Sequence, residues 1–368
     1  MPAQHPGSGI SAIILAAGMS KRMGAAKQLF RLGEATLLEH ALNNVRQSQA
    51  QEIILVLGHE AETIQRQIPL GNVKVIINPA YQEGMGTSLR TGLSALAPLA
   101  KGALIVLADQ PFVRPATLDR LIEKHRELKP QIVIPVYRGF RGNPVLLDRS
   151  VFPELAGLAG DVGCRAIFGD HTENILKVEV EDVGILLDAD SEADLKKLRE
   201  GAVSERPLLE SAAGPAPSPE APEVVIVGRE KFAHALAAMA RLLHFTVAVV
   251  DPLLSPEEFP EADRILHILD FSRLPPAARR HVVVASRGQF DEEAIEQALA
   301  CGAAYIALVA NRKRGEEIRR NLRAKGVSDE KAALLRAPAG LEIGAERPEE
   351  IALSVMAEII ARRPSRKP

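Results

Sequence analysis

Short apolar runs closed by turn residues alternate, from the start of the chain, with stretches whose apolar residues recur every three or four positions. Ile13-Ile14-Leu15-Ala16-Ala17 is the first run, and it stops at Gly18. It is too short for a helix, which predicts a buried strand of a parallel sheet. Thr36-Leu37-Leu38-Glu39 has the form of a capping box, and Leu38, Ala41, Leu42 and Val45 continue at helical spacing. Further strands are predicted over 52–57, closed by Gly58, over 73–77, closed by Asn78-Pro79, and over 103–108, ending at Asp109-Gln110-Pro111. A helix after Gly86 would put Leu89, Leu93 and Leu96 on one face, and one from Ala116 would bury Leu118, Leu121, Ile122 and Leu128. Strands separated by helices imply a mostly parallel sheet with right-handed crossovers. Ligands of such sheets sit at the carboxyl ends of the strands, where the Gly18 loop and Asp109 both fall.

Between Gly201 and Pro222 the periodicity stops, and five prolines lie among Ala, Ser, Gly and Glu. That composition reads as a linker, partly extended by its prolines. A second α/β pattern starts at once. Strands are predicted at 223–228, 246–250, 264–269, 281–285 and 305–309, with helices between. Phe232, Leu236, Met239 and Leu243 share one helical face, and a last helix from Pro348 buries Ile351, Val355 and Ile359. The expected domains are therefore 8–200 and 223–363, joined by the linker 201–222. Both are α/β, and the second has a Rossmann-like layout.

Composition narrows the class without naming an activity. At 368 residues the chain is long enough for two or three domains. A net charge of −2 gives no reason to expect nucleic acid. Cys164 and Cys301 make neither a metal spacing nor a disulfide framework, which suits a reducing cytoplasm. No apolar run approaches membrane-spanning length and the start lacks a signal-peptide layout, so a cytoplasmic protein with no membrane partner is expected.

The chemistry concentrates after the first strand. Leu15-Ala16-Ala17-Gly18-Met19-Ser20-Lys21-Arg22-Met23-Gly24-Ala25-Ala26-Lys27 combines small residues with three cations. Small residues let backbone approach a ligand, and N–H groups with fixed cations suit a triphosphate. The stretch is neither a P-loop nor a dinucleotide fingerprint. The pattern alone also fits a plain basic turn. Asp109 could hold a hard cation such as Mg²⁺ or simply start an Asx turn.

These residues, written LAAG-x-S-x-RMG-x-x-K, resemble the signature loop of the MobA-like nucleotidyltransferases that load CMP or GMP onto the molybdenum cofactor. The resemblance implies that the backbone of Leu15, Ala16, Ala17 and Gly18 holds the base, and that Arg22 and Lys27 hold the phosphates. Guanylyl members usually read LAGG, so Ala17 favours CTP. Asp109-Gln110-Pro111 matches the D-[QM]-P motif, whose Asp is a metal ligand. Asp188-Ala189-Asp190-Ser191-Glu192 resembles the closing D-x-D-T-P-E segment, with Ser-Glu for Thr-Pro; one of Asp188 and Asp190 would face the metal and the other cap a helix, with Asp188 nearer the strand end. In Glu83-Gly84-Met85-Gly86-Thr87-Ser88, Gly84 and Ser88 are nucleotide candidates, by analogy with the cytidylyltransferases of isoprenoid synthesis; ordinary helix-start chemistry is the alternative. Arg141-Gly142-Asn143-Pro144 and Gly160-Asp161-Val162-Gly163-Cys164-Arg165 resemble segments lining the pterin side, which makes Arg141, Asn143, Asp161 and Arg165 acceptor candidates. His59 could reach nucleotide or be an exposed loop residue, whereas His40 and His125 fall inside helical patterns.

From 223 to 363 the chain resembles the Rossmann domain of the XdhC/CoxI-type xanthine dehydrogenase accessory family, through Ser286-Arg287-Gly288, Asn311-Arg312-Lys313 and Ala337-Pro338-Ala339-Gly340-Leu341-Glu342-Ile343-Gly344-Ala345-Glu346-Arg347-Pro348. Glu230 replaces the glycine that lets a pyrophosphate approach. Its carboxylate is expected to satisfy the helix N-terminus itself and repel an anion, so NAD is not expected. Together the resemblances imply transfer of CMP from CTP to molybdopterin-bound molybdenum with Mg²⁺, and hand-over to a molybdenum hydroxylase apo-enzyme by the second domain. A sugar- or alditol-phosphate nucleotidyltransferase and a non-catalytic cofactor carrier are the rivals.

Overall fold

The computed structural model describes residues 9–19, 26–158, 160, 163–189, 209–211 and 221–363. The chain divides into two compact units, residues 1–137 with 141–204, and 138–140 with 205–368.

In the first unit β1 (Ile10–Ala16) is followed by a 3-10 turn (Lys27–Leu29), the small hairpin β2 (Arg31–Leu32) and β3 (Ala35–Thr36), and α1 (Leu37–Arg46). Next come β4 (Glu52–Leu57), α2 (Ala61–Gln67), β5 (Lys74–Ile77), α3 (Met85–Ser94), β6 (Gly102–Leu107) and α4 (Pro115–Leu128). The unit continues with β7 (Ile132–Tyr137), β8 (Phe140–Arg141), β9 (Val145–Asp148), α5 (Phe152–Leu155) and β10 (Ile175–Glu179). The sheet runs β10-β7-β9-β6-β1-β4-β5, with β8 on β7. It is mostly parallel, as the alternation predicts; β9 alone reverses among these seven, pairing antiparallel with both β6 and β7. β1 sits mid-sheet between β4 and β6, so Ala16 and Leu107 end at one rim.

Two local features carry this frame. The capping box forms: Thr36 Oγ1 accepts from Glu39 N, and Glu39 Oε2 accepts from Thr36 N at 2.7 Å. The Thr36 backbone bond holds the Glu39 carboxyl below its ordinary value. We expect Thr36→Ala to cost about 0.5–2 kcal/mol in urea unfolding. Because the folded pKa is the lower one, the Glu39 contribution is fully present above the unfolded carboxylate pKa and fades as pH falls through the folded value. Glu39→Gln should flatten that acid limb; an unchanged limb would sink the assignment.

The second feature is Gly92 on α3, where an added Cβ would lie 2.5 Å from Ile13 Cγ2 and 3.1 Å from Val56 Cγ2. Glycine lets the helix lie directly on β1 and β4. An exposed Gly→Ala change in a helix gains up to about 1 kcal/mol. Here overpacking of about 1–3 kcal/mol should win, so Gly92→Ala should lower Tm.

Two expectations need correction. Leu128 is exposed, and His125 takes the buried place on α4, its Nε2 2.9 Å from Asp148 Oδ2. Leu128 lies in the last turn of α4, which ends at Lys129 in a left-handed conformation. In the second unit, helices do not separate every strand. No helix lies between residues 250 and 264, and only a 3-10 turn (Phe271–Arg273) lies between 266 and 279.

That unit contains β11 (Leu209–Ser211), β12 (Pro222–Val227), α6 (Lys231–Leu242), β13 (Thr246–Val250), β14 (Arg264–Leu266), β15 (Arg279–Val284), α7 (Asp291–Ala300), β16 (Tyr305–Leu308), α8 (Arg312–Ala324), α9 (Asp329–Ala332), β17 (Leu335–Arg336) and α10 (Pro348–Ala361). Sheet order is β11-β14-β13-β12-β15-β16-β17. Its six parallel strands follow the 3-2-1-4-5-6 order of dinucleotide-binding folds. Within the stretch read as a linker, Leu209–Ser211 forms an antiparallel edge strand on β14. Alanines 233, 237 and 240 let α6 lie close against Val355, Met356 and Ile359 of α10.

Candidate active site

The loop after β1 is fixed by its own carbonyl groups. Leu15 O accepts from Ala108 N at 3.2 Å, and Ala17 O from His59 N at 3.3 Å. Gln28, buried and next to Lys27, turns its Nε2 back onto Ala16 O at 2.7 Å and Gly18 O at 3.3 Å. The four backbone positions expected to hold a base are therefore set before a ligand arrives. Gly58 allows the close approach of the β4 end, since a Cβ there would lie 2.9 Å from Ala17 O.

Lys27 and Asp109 meet across this rim. Nζ lies 2.9 Å from Asp109 Oδ2, with the two side chains 12% and 32% exposed. The 3-10 turn that follows the loop after β1 and the turn after β6 thus form one pair although 82 positions separate the two residues. Asp109 O also accepts from Ala189 N at 3.0 Å, which seats Asp188 beside it. Gln110 Nε2 donates to Asp188 Oδ1 at 2.6 Å. The approach of residues 182–189 is set by buried Asp182, which accepts from Arg114 N, Thr117 Oγ1 and Gly184 N. Arg22, Asp161 and Asp190 lie outside the described residues.

Gly84 has φ +108°, a backbone that side chains rarely adopt, and it opens α3. Ser88 is buried, with its Oγ accepting from Asn78 Nδ2 at 3.0 Å; Asn78 also donates to Thr87 Oγ1 at 2.9 Å. A nucleotide contact by Ser88 would have to share that hydroxyl. Gly86 N donates to Gly160 O at 3.1 Å, and Gly163 lies against Met85, so both glycines meet the start of α3. Arg165 is exposed there. Cys164 is buried, which pushes its thiol up to about 12 and leaves it unreactive at neutral pH. Arg141 is also buried, its guanidinium carbon 5.9 Å from the Phe168 ring centre. Asn143 N donates to Ile185 O at 3.1 Å. Lys27, Asp109 and Asp188 are thus gathered at the strand ends, and the Gly84 turn meets the Gly160 segment at the start of α3. Gln28, Gln110 and Asp182 supply bonds among these segments. Of these, only Gln110 lies in a recognisable motif, and no sequence signal marks the other two.

In the second unit the Glu230 expectation changes in one respect. Glu230 is the N-cap of α6, but its side chain makes no capping bond. It reaches Arg287 Nη2 at 2.8 Å instead. Asp251, at the end of β13 where dinucleotide folds bind ribose, is buried. It accepts from Leu253 N and lies 3.7 Å from Arg229 Nη1. Burial raises its carboxyl pKa against the pull of Arg229. Glu230 at the pyrophosphate position pairs with Arg287, and Asp251 at the ribose position faces Arg229. We expect no NAD⁺ or NADP⁺ binding in calorimetry of the whole protein; micromolar binding of either would overturn this.

Residues 12–175 match the MobA-like NTP transferase domain family, and residues 224–359 the XdhC Rossmann domain family. The chain is 38% identical over 146 residues to the uncharacterised protein YqeB of Escherichia coli K12, covering 38% of this chain and only 27% of YqeB. It is 28% identical over 197 residues to the molybdenum cofactor cytidylyltransferase of the same organism, covering 52% of this chain and 97% of that protein. It is 27% identical over 198 residues to nicotine blue oxidoreductase of Paenarthrobacter nicotinovorans, covering 51% and 96%. Among the described residues no helix is long and apolar enough to cross a membrane.

Proposed function

From a chain that joins a MobA-like NTP transferase domain to an XdhC Rossmann domain, we propose a molybdenum cofactor cytidylyltransferase, in which the second domain passes the product to a molybdenum hydroxylase. The observation that carries the reading is the Lys27–Asp109 pair, with Asp188 seated beside it. Two of the similar proteins are named as a molybdenum cofactor cytidylyltransferase and a nicotine blue oxidoreductase, and the match to the MobA-like NTP transferase domain supports nucleotidyl transfer. A cation and two carboxylates at the carboxyl rim of a parallel sheet suit phosphate chemistry.

The donor set fits a hard divalent cation. Asp109 Oδ2 bonds Lys27, whereas its Oδ1 makes no bond to the described residues, and Asp188 adds a second carboxylate. Asp109 and Asp188 would hold Mg²⁺, which would neutralise charge on the phosphates. The fixed loop Leu15–Gly18 would hold the cytosine. Gly84, Ser88 and Arg22 would complete the nucleotide site, and Arg141, Asn143, Asp161 and Arg165 the acceptor side. Lys27 would swing from Asp109 to the triphosphate and stabilise the departing pyrophosphate. The terminal phosphate oxygen of the pterin would bond the α-phosphorus as its bond to the bridging oxygen breaks. That phosphate is already ionised, so no side-chain nucleophile is needed.

The test is pyrophosphate release by the whole protein with each of the four NTPs and molybdenum cofactor as acceptor. CTP should exceed GTP in kcat/KM by at least about 1–3 kcal/mol, the scale of a pocket mismatch. Equal use of the two would end the cytidylyl reading. Turnover of a sugar phosphate but not of the pterin would favour the sugar-nucleotide rival.

A further inference from the structure

We propose that Gln110 is a positioning residue whose side-chain amide holds Asp188 as the second carboxylate beside Asp109. The inference rests on the transferase reading of this site and deepens it. Gln110 is 3% exposed, and its Nε2 donates to Asp188 Oδ1 at 2.6 Å. Its backbone N–H is tied to Leu107 O, so the side chain springs from the same turn as Asp109. Asp109 reaches Lys27 from that turn, and Gln110 reaches Asp188. The acidic segment is thereby held at two points: Asp109 O on Ala189 N, and Gln110 Nε2 on the Asp188 carboxylate.

The other end of the amide marks this as more than packing. Gln110 Oε1 is buried with no hydrogen-bond partner among the described residues. Buried amides ordinarily pair both ends, and an unpaired acceptor costs stability. Turning the amide over would aim its oxygen at a carboxylate. Asp188 therefore dictates the orientation, and the unpaired oxygen is its consequence. A methionine of similar length would fill the space without a buried unpaired acceptor, but it could not donate. The donated bond fixes the plane of the Asp188 carboxylate beside Asp109. Such outer hydrogen bonds orient metal ligands.

The experiment compares wild type, Gln110→Met and Asp109→Asn as full-length proteins. Mn²⁺ binding is read from the electron paramagnetic resonance of the unbound ion, with and without the α,β-methylene analogue of CTP. Gln110→Met should raise the Mn²⁺ Kd by about 10–100-fold, the usual cost of losing an outer-shell partner. The Mg²⁺ needed for half-maximal turnover should rise in parallel, and Tm should hold. Unchanged Mn²⁺ affinity, or a fall in Tm with no change in Kd, would overturn the role. If the Met variant fails to fold, Gln110→Leu carries the test, since it too cannot donate; Mn²⁺ affinity equal to wild type would again overturn it. Failure of the site itself reads differently: Asp109→Asn would then leave Mn²⁺ binding and turnover unchanged, and both readings would fall together.

Discussion

Asp109→Asn is expected to abolish measurable nucleotidyl transfer while the protein stays folded. The substitution keeps the side-chain volume and leaves an oxygen for Lys27 Nζ, now 2.9 Å from Oδ2. Asp109 is about a third exposed, so its ion pair with Lys27 is worth only about 0–1 kcal/mol of stability after solvent screening. Urea unfolding should therefore move little. Turnover should fall much further, because Asp109 pairs with Lys27 at the strand ends and is well placed to hold a cation. Losing the several kcal/mol that such a cation supplies to the transition state means a drop in kcat of at least about 10³-fold. Pyrophosphate release at the wild-type rate by a folded Asp109→Asn protein would remove Asp109 from the chemistry. It would leave the ion pair with Lys27 as a purely structural bond across the rim.

Lys27→Gln should produce the second large effect, with an opposite sign in one measurement. Lys27 is the cation seated at the rim in the structure and only 12% exposed. Removing a preorganised charge aimed at a leaving group costs about 10²–10³-fold in kcat. The same lysine competes with a metal for Asp109 Oδ2 when no nucleotide is bound. Lys27→Gln should therefore bind Mn²⁺ more tightly than wild type in the absence of nucleotide, yet turn over more slowly. A variant that lost both metal affinity and turnover would show that Lys27 merely holds the loop in place. The two substitutions share one contact, so their effects should not add; the double variant should be little worse than Asp109→Asn alone.

Much of this architecture was legible because it depends on near neighbours along the chain. The apolar run ending at Gly18 became β1, and Thr36 with Glu39 formed its capping box. Asp109 lies just past β6 at the rim that parallel sheets use for ligands. The second unit's parallel order follows from strands and crossovers whose periods are visible residue by residue. Runs of this kind record local preference and burial, and both are set within one or two turns of chain.

The folded chain decided what depends on partners far apart in sequence. No pattern shows that Gln28 turns back onto Ala16 and Gly18, or that Gln110 selects Asp188 across 78 positions. Glu230 sits at a helix start, where local chemistry predicts a cap, but Arg287 offers a full opposite charge and draws it away. His125 rather than Leu128 is inside, because Asp148 meets the His125 position while Leu128 falls in the exposed final turn of α4. Leu209–Ser211 joins a sheet edge because an unpaired strand edge takes whatever backbone lies alongside, whereas β9 reverses inside the sheet, between β6 and β7. The sequence by itself determined the main strands and helices named from its periodicity and the residue types at the rim. The tertiary structure decided which of those residues meet, because hydrogen bonds and ion pairs act over about 3 Å, a distance that separation along the chain does not encode.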